Sequence, residues 1–345
     1  MNARVQRVRE TVEAPLLVTN VTNVRYLTGF RSSNAAVLVE RDRLRLFADF
    51  RYADAGRLVE GVEFEVTKRA IPADLAGRLA GRIAFEAVTL PYADYELLRA
   101  GGLELFPTKN VVEGLRAVKD EQEIAAIRRA TELTNAAFER FAGERVIGRT
   151  ERELAWRMDS ALHELGAQGN AFPTIVATGP NAANPHTTPG DRVVERGHTV
   201  IVDAGAMLGG YCSDCTRTFA AGRLPDELRR AYDVCLRAQL AGVERVRPGM
   251  TGIEADRTAR DVIDAAGLGE HFGHGLGHGV GLEVHELPRL STESGETIEA
   301  GNVTSIEPGV YLPGVGGVRI EDLVVVREDG VQVLTSFTKE LVTLD

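Results

Sequence analysis

The sequence predicts an α+β fold in two domains, and three observations lead to this prediction. The chain has 345 residues, about twice the usual length of one domain. Its first part alternates short β-type runs with helical stretches, which is typical of a small α/β unit. From about residue 116 onward, capped helices are interleaved with hairpins, as expected of an α+β domain. We therefore predict a small α/β domain over residues 1–115 and a larger domain over residues 116–345.

The strands of both domains are predicted from short runs rich in apolar and β-branched residues. In the first domain these runs cover 35–39, 44–48, 82–85 and 103–106. In the second domain they cover 199–206, 211–220, 303–311, 318–327 and 331–335. Glycine turns separate several of the later runs, so these runs are expected to pair as hairpins.

The helices of the second domain are predicted from their start signals. These signals stand at Asp120, Thr150, Pro225 and Thr251. At three of the four positions a Glu follows three residues later, which is the spacing of a capping box. Behind the first three signals, apolar residues recur at helical spacing. Four helices are therefore expected, and the first of them marks the start of the second domain.

The composition excludes several classes of protein. The chain has 40 Lys and Arg against 50 Asp and Glu, a net charge of −10, whereas a nucleic-acid binder normally carries a basic patch. No run reaches the ~20 apolar residues that a membrane span needs, and the charged N-terminus is unlike a secretory signal. Three cysteines are an odd and low number for a disulfide framework. We therefore expect a cytoplasmic protein that binds neither nucleic acid nor membranes.

The segment TVIVDAGAMLGGYCSDCTRTF predicts a hairpin that carries two aspartates. Its two β-type runs flank a turn over residues 208–210. In an antiparallel hairpin, opposite residues are equally distant from the centre of the turn. The midpoint between Asp203 and Asp214 is 208.5, which lies inside this turn. The two carboxylates are therefore predicted to lie side by side on one face.

The segment VTSIEPGVYLPGVGGVRIEDLVVV predicts a second hairpin of the same kind. The midpoint between Glu307 and Glu321 is 314, inside the turn 313–317. Apolar residues flank both acid pairs, so all four carboxylates are expected in the core, where uncompensated charge is costly. One acid of a pair could stay protonated, but a bound cation compensates all four more simply. The two hairpins therefore predict a metal site.

A glycine-rich stretch concentrates the histidines. Four of the seven histidines lie within 15 residues, namely His271, His274, His278 and His285. Glycines alternate with larger residues over 273–281, which predicts a strand with His274 and His278 on one face. The glycine face would let another backbone approach closely. The stretch lacks both G-x-G-x-x-G and the lysine of a phosphate-binding loop, so a nucleotide site is not expected.

The Cys212-x-x-Cys215 spacing raises the alternative of thiol redox chemistry. On a strand these two side chains point to opposite faces, so they are not expected to form a disulfide or to share a metal. Redox motifs of this spacing also lie at helix starts, and this one does not. We therefore expect neither cysteine to be catalytic.

Five segments of the second domain resemble the metallopeptidase family M24, which includes aminopeptidase P and prolidase. They are VDAGA, DCTR, HGLGHGVGLEVHE, IEPGVY and VRIED, and they occur in the family's order. NVRYLTGF and DFRYADA, in the first 55 residues, resemble the family's N-terminal domain. The resemblance implies a creatinase/prolidase-like N-terminal domain followed by a catalytic domain with the pita-bread fold.

The resemblance also implies roles for individual residues. The metal ligands it implies are Asp203, Asp214, His278, Glu307 and Glu321. In this arrangement Asp214 and Glu321 bridge two metals. Glu307 would transfer the proton of the attacking water, and His285 would stabilise the developing oxyanion. The further residues implied to contact substrate, relay protons or support the ligands are His186, His274, Tyr311 and Arg319.

The implied activity is hydrolysis of the Xaa-Pro bond at the N-terminus of peptides, assisted by two divalent metal ions. Four carboxylates and one imidazole favour Mn²⁺ or Co²⁺ and also allow Zn²⁺ or Fe²⁺. We expect an aminopeptidase for proline-containing peptides of three or more residues, acting as a homodimer. One alternative is a prolidase, which cleaves dipeptides; Arg51 or Arg289 could then bind the substrate carboxylate. The other alternative, a non-catalytic binding protein with this fold, is less favoured because all five ligands are present.

Overall fold

The computed structural model describes residues 2–345 and divides into two compact units. The first unit ends at Arg116 and the second begins at Ala117. Within residues 2–345, no helix is both long enough and apolar enough to cross a membrane.

The first unit is built on a six-stranded mixed sheet with the order β4-β3-β2-β1-β5-β6. Its strands are β1 (Leu16–Val18), β2 (Ala35–Val39), β3 (Leu44–Asp49), β4 (Glu63–Thr67), β5 (Arg82–Glu86) and β6 (Glu104–Thr108). Its helices are α1 (Ala3–Thr11), α2 (Val21–Thr28), α3 (Ala53–Arg57), α4 (Ile71–Leu75), α5 (Tyr92–Ala100) and α6 (Val111–Ala117). The four predicted strands are confirmed. The pattern missed β1, which has three residues, and β4, which is partly exposed and carries two glutamates.

All four helices predicted for the second unit are confirmed. They are α7 (Glu121–Phe141), α8 (Glu151–Glu164), α9 (Asp226–Arg245) and α10 (Gly252–Ala265). Asp120, Thr150 and Thr251 each form a complete capping box with the Glu three residues later. Such caps satisfy backbone N–H groups that the first helical turn leaves unpaired, so the sequence alone defines where these helices begin.

The second unit contains two main sheets and two small ones. The first main sheet has the order β20-β12-β9-β8 and the second has the order β14-β13-β15-β18-β19. The strands are β7 (Gly169–Asn170), β8 (Ile175–Thr178), β9 (Thr199–Asp203), β10 (Ala206–Leu208), β11 (Tyr211–Cys212), β12 (Thr216–Ala221), β13 (Gly277–Gly279), β14 (Glu286–Leu290), β15 (Val303–Ile306), β16 (Gly309–Leu312), β17 (Gly316–Arg319), β18 (Asp322–Arg327), β19 (Gly330–Val333) and β20 (Thr343–Leu344).

A pair of helices covers each main sheet. Apolar residues of α7 and α8 pack against β8, β9 and β12 in one buried cluster. Apolar residues of α9 and α10 pack against the strands from β15 to β18 in another. Burial of these faces drives the packing of helix on sheet. The predicted α+β class is therefore confirmed.

The predicted register of the first hairpin is wrong by two residues. Asp203 lies opposite Thr216, and Leu208 lies opposite Tyr211, so the hairpin is centred between Gly209 and Gly210. Both glycines have positive φ angles, as a two-residue hairpin turn of this kind requires, whereas Leu208 belongs to β10. Asp214 is therefore not directly opposite Asp203.

The second hairpin has the register that the sequence predicted. Ile306 pairs with Asp322, and Gly309 pairs with Arg319. Glu307 and Glu321 lie opposite each other between these two ladders. The turn residues 313–315 connect β16 to β17, so the centre of the hairpin is residue 314, as expected.

The strand predicted for the glycine-rich stretch is shorter than expected. Only Gly277–Gly279 is β-structure, so His274 precedes the strand and does not share its face with His278. The close approach predicted for the glycines is confirmed. A Cβ at Gly277 would lie 2.1 Å from the carbonyl oxygen of Ser305, so only glycine fits there.

Candidate active site

Three of the predicted ligands converge in the second unit. Asp203, Asp214 and Glu321 each offer a carboxylate oxygen, and these oxygens lie within 4.8 Å of one another. Asp203 ends β9, Asp214 lies between β11 and β12, and Glu321 directly precedes β18. Each acid thus stands at an interruption or an end of a strand. The two hairpins, one from each main sheet, bring the three side chains together.

His278 and Glu307 join the same cluster. The His278 Nε2 atom lies 3.2 Å from a Glu307 oxygen and 3.6 Å from an Asp214 oxygen. His278 Nδ1 is 3.1 Å from the carbonyl oxygen of Gly279. Since a carbonyl only accepts, this contact assigns the proton to Nδ1 in the neutral ring. Nε2 then points toward the carboxylates in the form that binds a metal.

Two buried oxygens of this cluster lack a protein partner. Within residues 2–345, Asp203 Oδ1 and Glu321 Oε1 are buried and accept no hydrogen bond. Buried polar atoms are nearly always paired in folded proteins, and an unpaired carboxylate oxygen is especially unfavourable. Four carboxylates and one imidazole are also a donor set that divalent cations accept. The residues present therefore fit a metal centre.

The two carboxylates at the centre of the cluster have strongly raised pKa values. Burial raises the pKa of Asp214, and the nearby charges of Glu321 and Asp203 raise it further. Burial likewise raises the pKa of Glu321, followed by the charges of Glu307 and Asp203. In the protein alone these groups therefore favour their protonated forms, and a cation would favour the carboxylates.

Glu307 behaves in the opposite way. Burial favours its neutral form, but in the metal-free protein a His278 that is protonated at Nε2 as well outweighs burial by its hydrogen bond and charge, and it lowers the pKa of Glu307 to about 2. The same contact raises the pKa of His278 against the effect of burial. Ser305 also donates a hydrogen bond of 3.0 Å to Glu307. Glu307 is therefore ionised in its surroundings.

Thr216 and Arg319 form hydrogen bonds that orient the predicted ligands. The Thr216 hydroxyl donates to Glu321 over 2.8 Å and accepts from Arg319 Nε over 3.1 Å. Arg319 Nη2 also lies 2.7 Å from Asp203 Oδ2. The sequence predicted support from Arg319 but missed Thr216. A hydroxyl within the buried DCTR segment, one residue after Cys215, was the available signal.

Arg319 also connects the ligands to Tyr311 and His274. Its Nη1 donates to the Tyr311 hydroxyl over 3.0 Å, and that hydroxyl lies 2.8 Å from His274 Nε2. His274 Nδ1 is 2.8 Å from the carbonyl of Gly275, so Nδ1 carries the proton and Tyr311 donates to Nε2. Burial lowers the pKa of His274 and raises that of Tyr311 to about 12, so both are neutral near pH 7.

His285 and His186 lie at the exposed side of the site. The rings of His285 and His278 are 4.2 Å apart between centroids. Partial burial and the positive charges of His278, His186 and Arg289 lower the pKa of His285. His186 also lowers the pKa of His274. The structure therefore brings both exposed histidines within electrostatic reach of the predicted proton-transfer residues.

The two arginines considered for a substrate carboxylate differ in position. Arg289 lies directly opposite His278 across the β13–β14 ladder and is exposed. Opposite residues of an antiparallel pair project to the same face, so Arg289 faces the side of the sheet that carries the ligand. Arg51 instead binds both oxygens of Asp49 in the first unit. No spacing in the sequence separates these two candidates.

The cysteines take no part in the cluster. Cys212, Cys215 and Cys235 are all buried. Cys212 packs among apolar residues near α7, whereas Cys215 belongs to the cluster between α8 and β9. Burial raises the pKa of Cys215 far above its ordinary value. These positions confirm that the two thiols of the C-x-x-C segment point in different directions.

Comparison with known proteins follows the division of the chain. Residues 125–328 match the model of metallopeptidase family M24, and residues 4–118 match the creatinase/prolidase N-terminal domain. The chain belongs to metallopeptidase family M24. It is therefore a peptidase of a family that uses divalent metal ions, and the expected resemblance is confirmed.

Three relatives illustrate how far the similarity extends. A Xaa-Pro dipeptidase from Pyrococcus horikoshii is 34% identical, with 99% of each chain covered. The solved structure of a Xaa-Pro dipeptidase from Bacillus anthracis is 37% identical, covers 99% of each chain and has a TM-score of 0.95. That of an X-Pro aminopeptidase from Thermotoga maritima is 32% identical, covers 98% of this chain and all of its own, and has a TM-score of 0.87. The M24 chain described here thus has the pita-bread fold of its family.

Proposed function

We propose that this M24 chain hydrolyses the Xaa-Pro bond at the N-terminus of proline-containing peptides. The observation that carries the proposal is the buried cluster of Asp203, Asp214 and Glu321 beside the His278–Glu307 pair, in which two carboxylate oxygens have no protein partner. The Xaa-Pro peptidases among the relatives support the same substrate class.

We propose that Asp203, Asp214, His278, Glu307 and Glu321 would hold two divalent ions, and that Asp214 and Glu321 would contribute to both sites. Three observations support this set: the convergence of the carboxylates, the contacts of His278 and the unpaired oxygens of Asp203 and Glu321. The mixture of oxygen donors and one imidazole favours Mn²⁺ or Co²⁺, with Zn²⁺ and Fe²⁺ also allowed. When bound, such ions lower the pKa of water and supply hydroxide at neutral pH.

The protein's own residues perform the proton transfers. Glu307 is ionised in the metal-free protein beside His278, and as a carboxylate it can accept the proton of the attacking water. It then delivers that proton to the proline nitrogen as the bond breaks. His285, beside His278 at the exposed side, is positioned to stabilise the developing oxyanion. His186 lies within electrostatic reach of both exposed and buried histidines and is assigned to substrate contact.

A proline substrate requires recognition by shape, because the Xaa-Pro bond has no N–H to donate. Tyr311 is held by Arg319 on one side and His274 on the other, and it is 7% exposed. The Tyr311 ring is thus held in place by Arg319 and His274, and it forms a rigid wall close to the metal ligands. We assign Tyr311 and Arg319 to the proline side of the site.

The substrate has two candidate lengths, a dipeptide or a peptide of three or more residues. The sequence favoured an aminopeptidase for peptides of three or more residues. The position of Arg289 opposite His278 favours dipeptides as a second candidate, because an exposed guanidinium at this edge can bind a free proline carboxylate. The relatives include both Xaa-Pro dipeptidases and an X-Pro aminopeptidase.

One experiment tests the activity and the substrate length together. Purified protein is assayed with each metal on an Xaa-Pro dipeptide and on the same pair extended by one and two residues. Arg289→Met is compared with Arg237→Met, which removes an exposed arginine of α9. A dipeptidase should prefer the dipeptide and lose about 10–100-fold in kcat/KM only in Arg289→Met. Preference for longer peptides in all three proteins supports the aminopeptidase, and metal binding without turnover supports the non-catalytic alternative.

Three further expectations complete the proposal. We propose that residues 1–115 form the N-terminal domain and that residues 116–345 form the catalytic domain, consistent with the spans of the two family matches. We propose a cytoplasmic location, supported by the low and odd number of three cysteines. The family resemblance implies a homodimer, and light scattering from the purified protein measures its mass.

A further inference from the structure

We propose that Arg260 and Asp256 of α10 are positioning residues for His274. We call these two side chains the α10 clamp. They hold the backbone segment 272–276, which carries His274 toward Tyr311. The proposal rests on the proposed function only where turnover is concerned, because the position of His274 can be measured without substrate.

The clamp is a buried, two-point ion pair. Arg260 Nε lies 2.5 Å from Asp256 Oδ2, and Arg260 Nη2 lies 2.9 Å from Asp256 Oδ1. Asp256 is completely buried and the Arg260 side chain is 18% exposed. Two parallel contacts fix the plane of the guanidinium, so the remaining N–H groups of Arg260 have defined directions.

Those directions lead to the backbone on both sides of His274. Arg260 Nη1 donates to the carbonyl of Phe272 over 2.9 Å, and Nη2 donates to the carbonyl of His274 over 2.7 Å. Asp256 Oδ1 also accepts from the Leu276 backbone N–H over 3.0 Å. Three backbone groups within five residues are thus bound by one ion pair.

A second route connects the clamp to the imidazole itself. The Arg260 guanidinium lies 4.2 Å from the centroid of the Phe272 ring. The Phe272 and His274 rings meet edge to face, with centroids 5.1 Å apart. The guanidinium therefore fixes Phe272 by a cation–π contact, and Phe272 in turn limits rotation of the His274 ring.

The segment needs such support because a sheet neighbour binds it mainly at its end, where the Leu276 carbonyl accepts from the Glu307 backbone N–H over 2.8 Å. Residues 272–276 precede β13 and form no strand. His274 stands between Gly273 and Gly275, and glycine leaves the backbone unusually free. Without the clamp, His274 would be free to move away from the Tyr311 hydroxyl, 2.8 Å from its Nε2. Arg260 and Asp256 therefore hold this segment by its backbone, as Ser305 and Thr304 hold the backbone of His278 farther along.

The chain offers a matched control on the neighbouring helix. Arg229 and Asp233 form an ion pair with the same four-residue spacing on α9, with the Arg229 side chain 57% exposed. Removal of Arg229 deletes an equal charge from a helix surface. An effect specific to the clamp should therefore appear in Arg260 variants and be absent from Arg229→Met.

The test compares wild type, Arg260→Met, Arg260→Lys and Arg229→Met, each labelled with ¹⁵N-histidine. The His274 signals are assigned from their loss in His274→Gln. Metal content, thermal stability, kcat and KM on an Xaa-Pro substrate are measured for the same preparations. If Arg260→Met does not fold, Asp256→Asn serves instead, because its amide oxygen still accepts from Leu276 while the ion pair is lost.

We expect the His274 nitrogen signals to shift and broaden in Arg260→Met, to recover partly in Arg260→Lys and to stay unchanged in Arg229→Met. With metal content retained, kcat should fall by up to about 100-fold, as displacement of a positioned group can cause, and KM should change less. A folded Arg260→Met or Asp256→Asn with unchanged His274 signals overturns the proposal. Shifted His274 signals in a protein whose wild type has no peptidase activity would support the clamp and contradict the proposed function.

Discussion

The two ends of the candidate metal centre handle buried charge in different ways. At the acidic end, Asp203, Asp214 and Glu321 approach one another, and burial raises the pKa values of all three. At the mixed end, His278 and Glu307 form a contact of 3.2 Å that lowers the pKa of Glu307. Both ends are buried, so burial alone does not explain the difference.

The difference lies in the partner that the chain itself supplies. In the metal-free protein, His278 carries a positive charge beside Glu307 when both of its ring nitrogens are protonated, so the charges of the mixed end compensate each other. The acidic end has Arg319 on Asp203 but leaves oxygens of Asp203 and Glu321 unpaired among the described residues. We infer that the acidic end depends on bound metal, whereas the mixed end is preorganised for proton transfer.

The largest effect is expected from removing an acid at the acidic end. Asp214→Ala should lose both metal ions and, with them, turnover down to background, because Asp214 is proposed to bridge the two ions. Without metal, the variant should be more stable than wild type, since one buried acid is gone. Elemental analysis, peptidase assays and thermal unfolding measure these changes, with Asp233→Ala, a half-buried position of α9, as control. Full metal content in Asp214→Ala would remove it from the ligand set.

A smaller loss, of a different kind, is expected at the mixed end. Glu307→Gln keeps the shape of the side chain but cannot accept a proton, and loss of a general base typically costs ~10²–10⁴-fold in rate. Turnover and metal content must be measured together. Near-normal turnover with metal retained would contradict the proton-transfer role of Glu307.

Loss of a hydrogen bond behind the ligands should lower metal affinity and activity less than loss of a residue at either end of the metal centre. Thr216→Val removes the hydroxyl that donates to Glu321 and accepts from Arg319 while keeping a β-branched side chain. Loss of such outer contacts typically costs ~10–100-fold in metal affinity or activity. Metal titration of Thr216→Val is compared with that of Thr218→Val, a neighbour on β12 whose hydroxyl bonds to the Arg319 carbonyl. Equal metal affinity in wild type and Thr216→Val would show that the contact does not orient Glu321.

The acidic end should also make stability depend on pH. Because the pKa values of Asp214 and Glu321 are raised in the folded protein, the native state binds more protons than the unfolded state above pH ~4. The free energy of unfolding of the metal-free protein should therefore fall as the pH rises through the raised pKa values. Each unit of raised pKa corresponds to about 1.4 kcal/mol.

Metal should reverse this trend, since cations displace the protons and compensate the carboxylates. Thermal unfolding with and without Mn²⁺ should show a larger stabilisation by metal at pH 8 than at pH 5. A stabilisation that is equal at both pH values, or greater at pH 5, would contradict the assignment of Asp214 and Glu321 as groups that bind metal in place of protons.

The smallest effect is expected at Cys215, which lies next to Asp214 in sequence but packs in an apolar cluster. Cys215→Ser should keep most of its turnover and all of its metal, although a buried hydroxyl will lower the unfolding temperature. Thiol reagents should react slowly because the thiol is buried and its pKa is raised. Complete loss of turnover with metal retained would contradict the expectation that this thiol is not catalytic.

The sequence by itself determined the local features of this M24 peptidase. Capping boxes fixed the starts of α7, α8 and α10 because a cap involves residues only three positions apart. The face of each hairpin that carries acids was also predictable. The error at Asp203 and Asp214 was two residues, and a shift of two leaves a side chain on the same face of a strand.

Only the tertiary structure decided which side chains meet. The sequence did not show that Gly209 and Gly210 alone make the turn, that His274 lies outside β13, or that Arg289 faces His278. It also did not show that Arg260, on α10, binds the backbone of His274. These contacts join segments that are distant along the chain or flexible at glycines, so their geometry depends on how helices pack on sheets rather than on local periodicity.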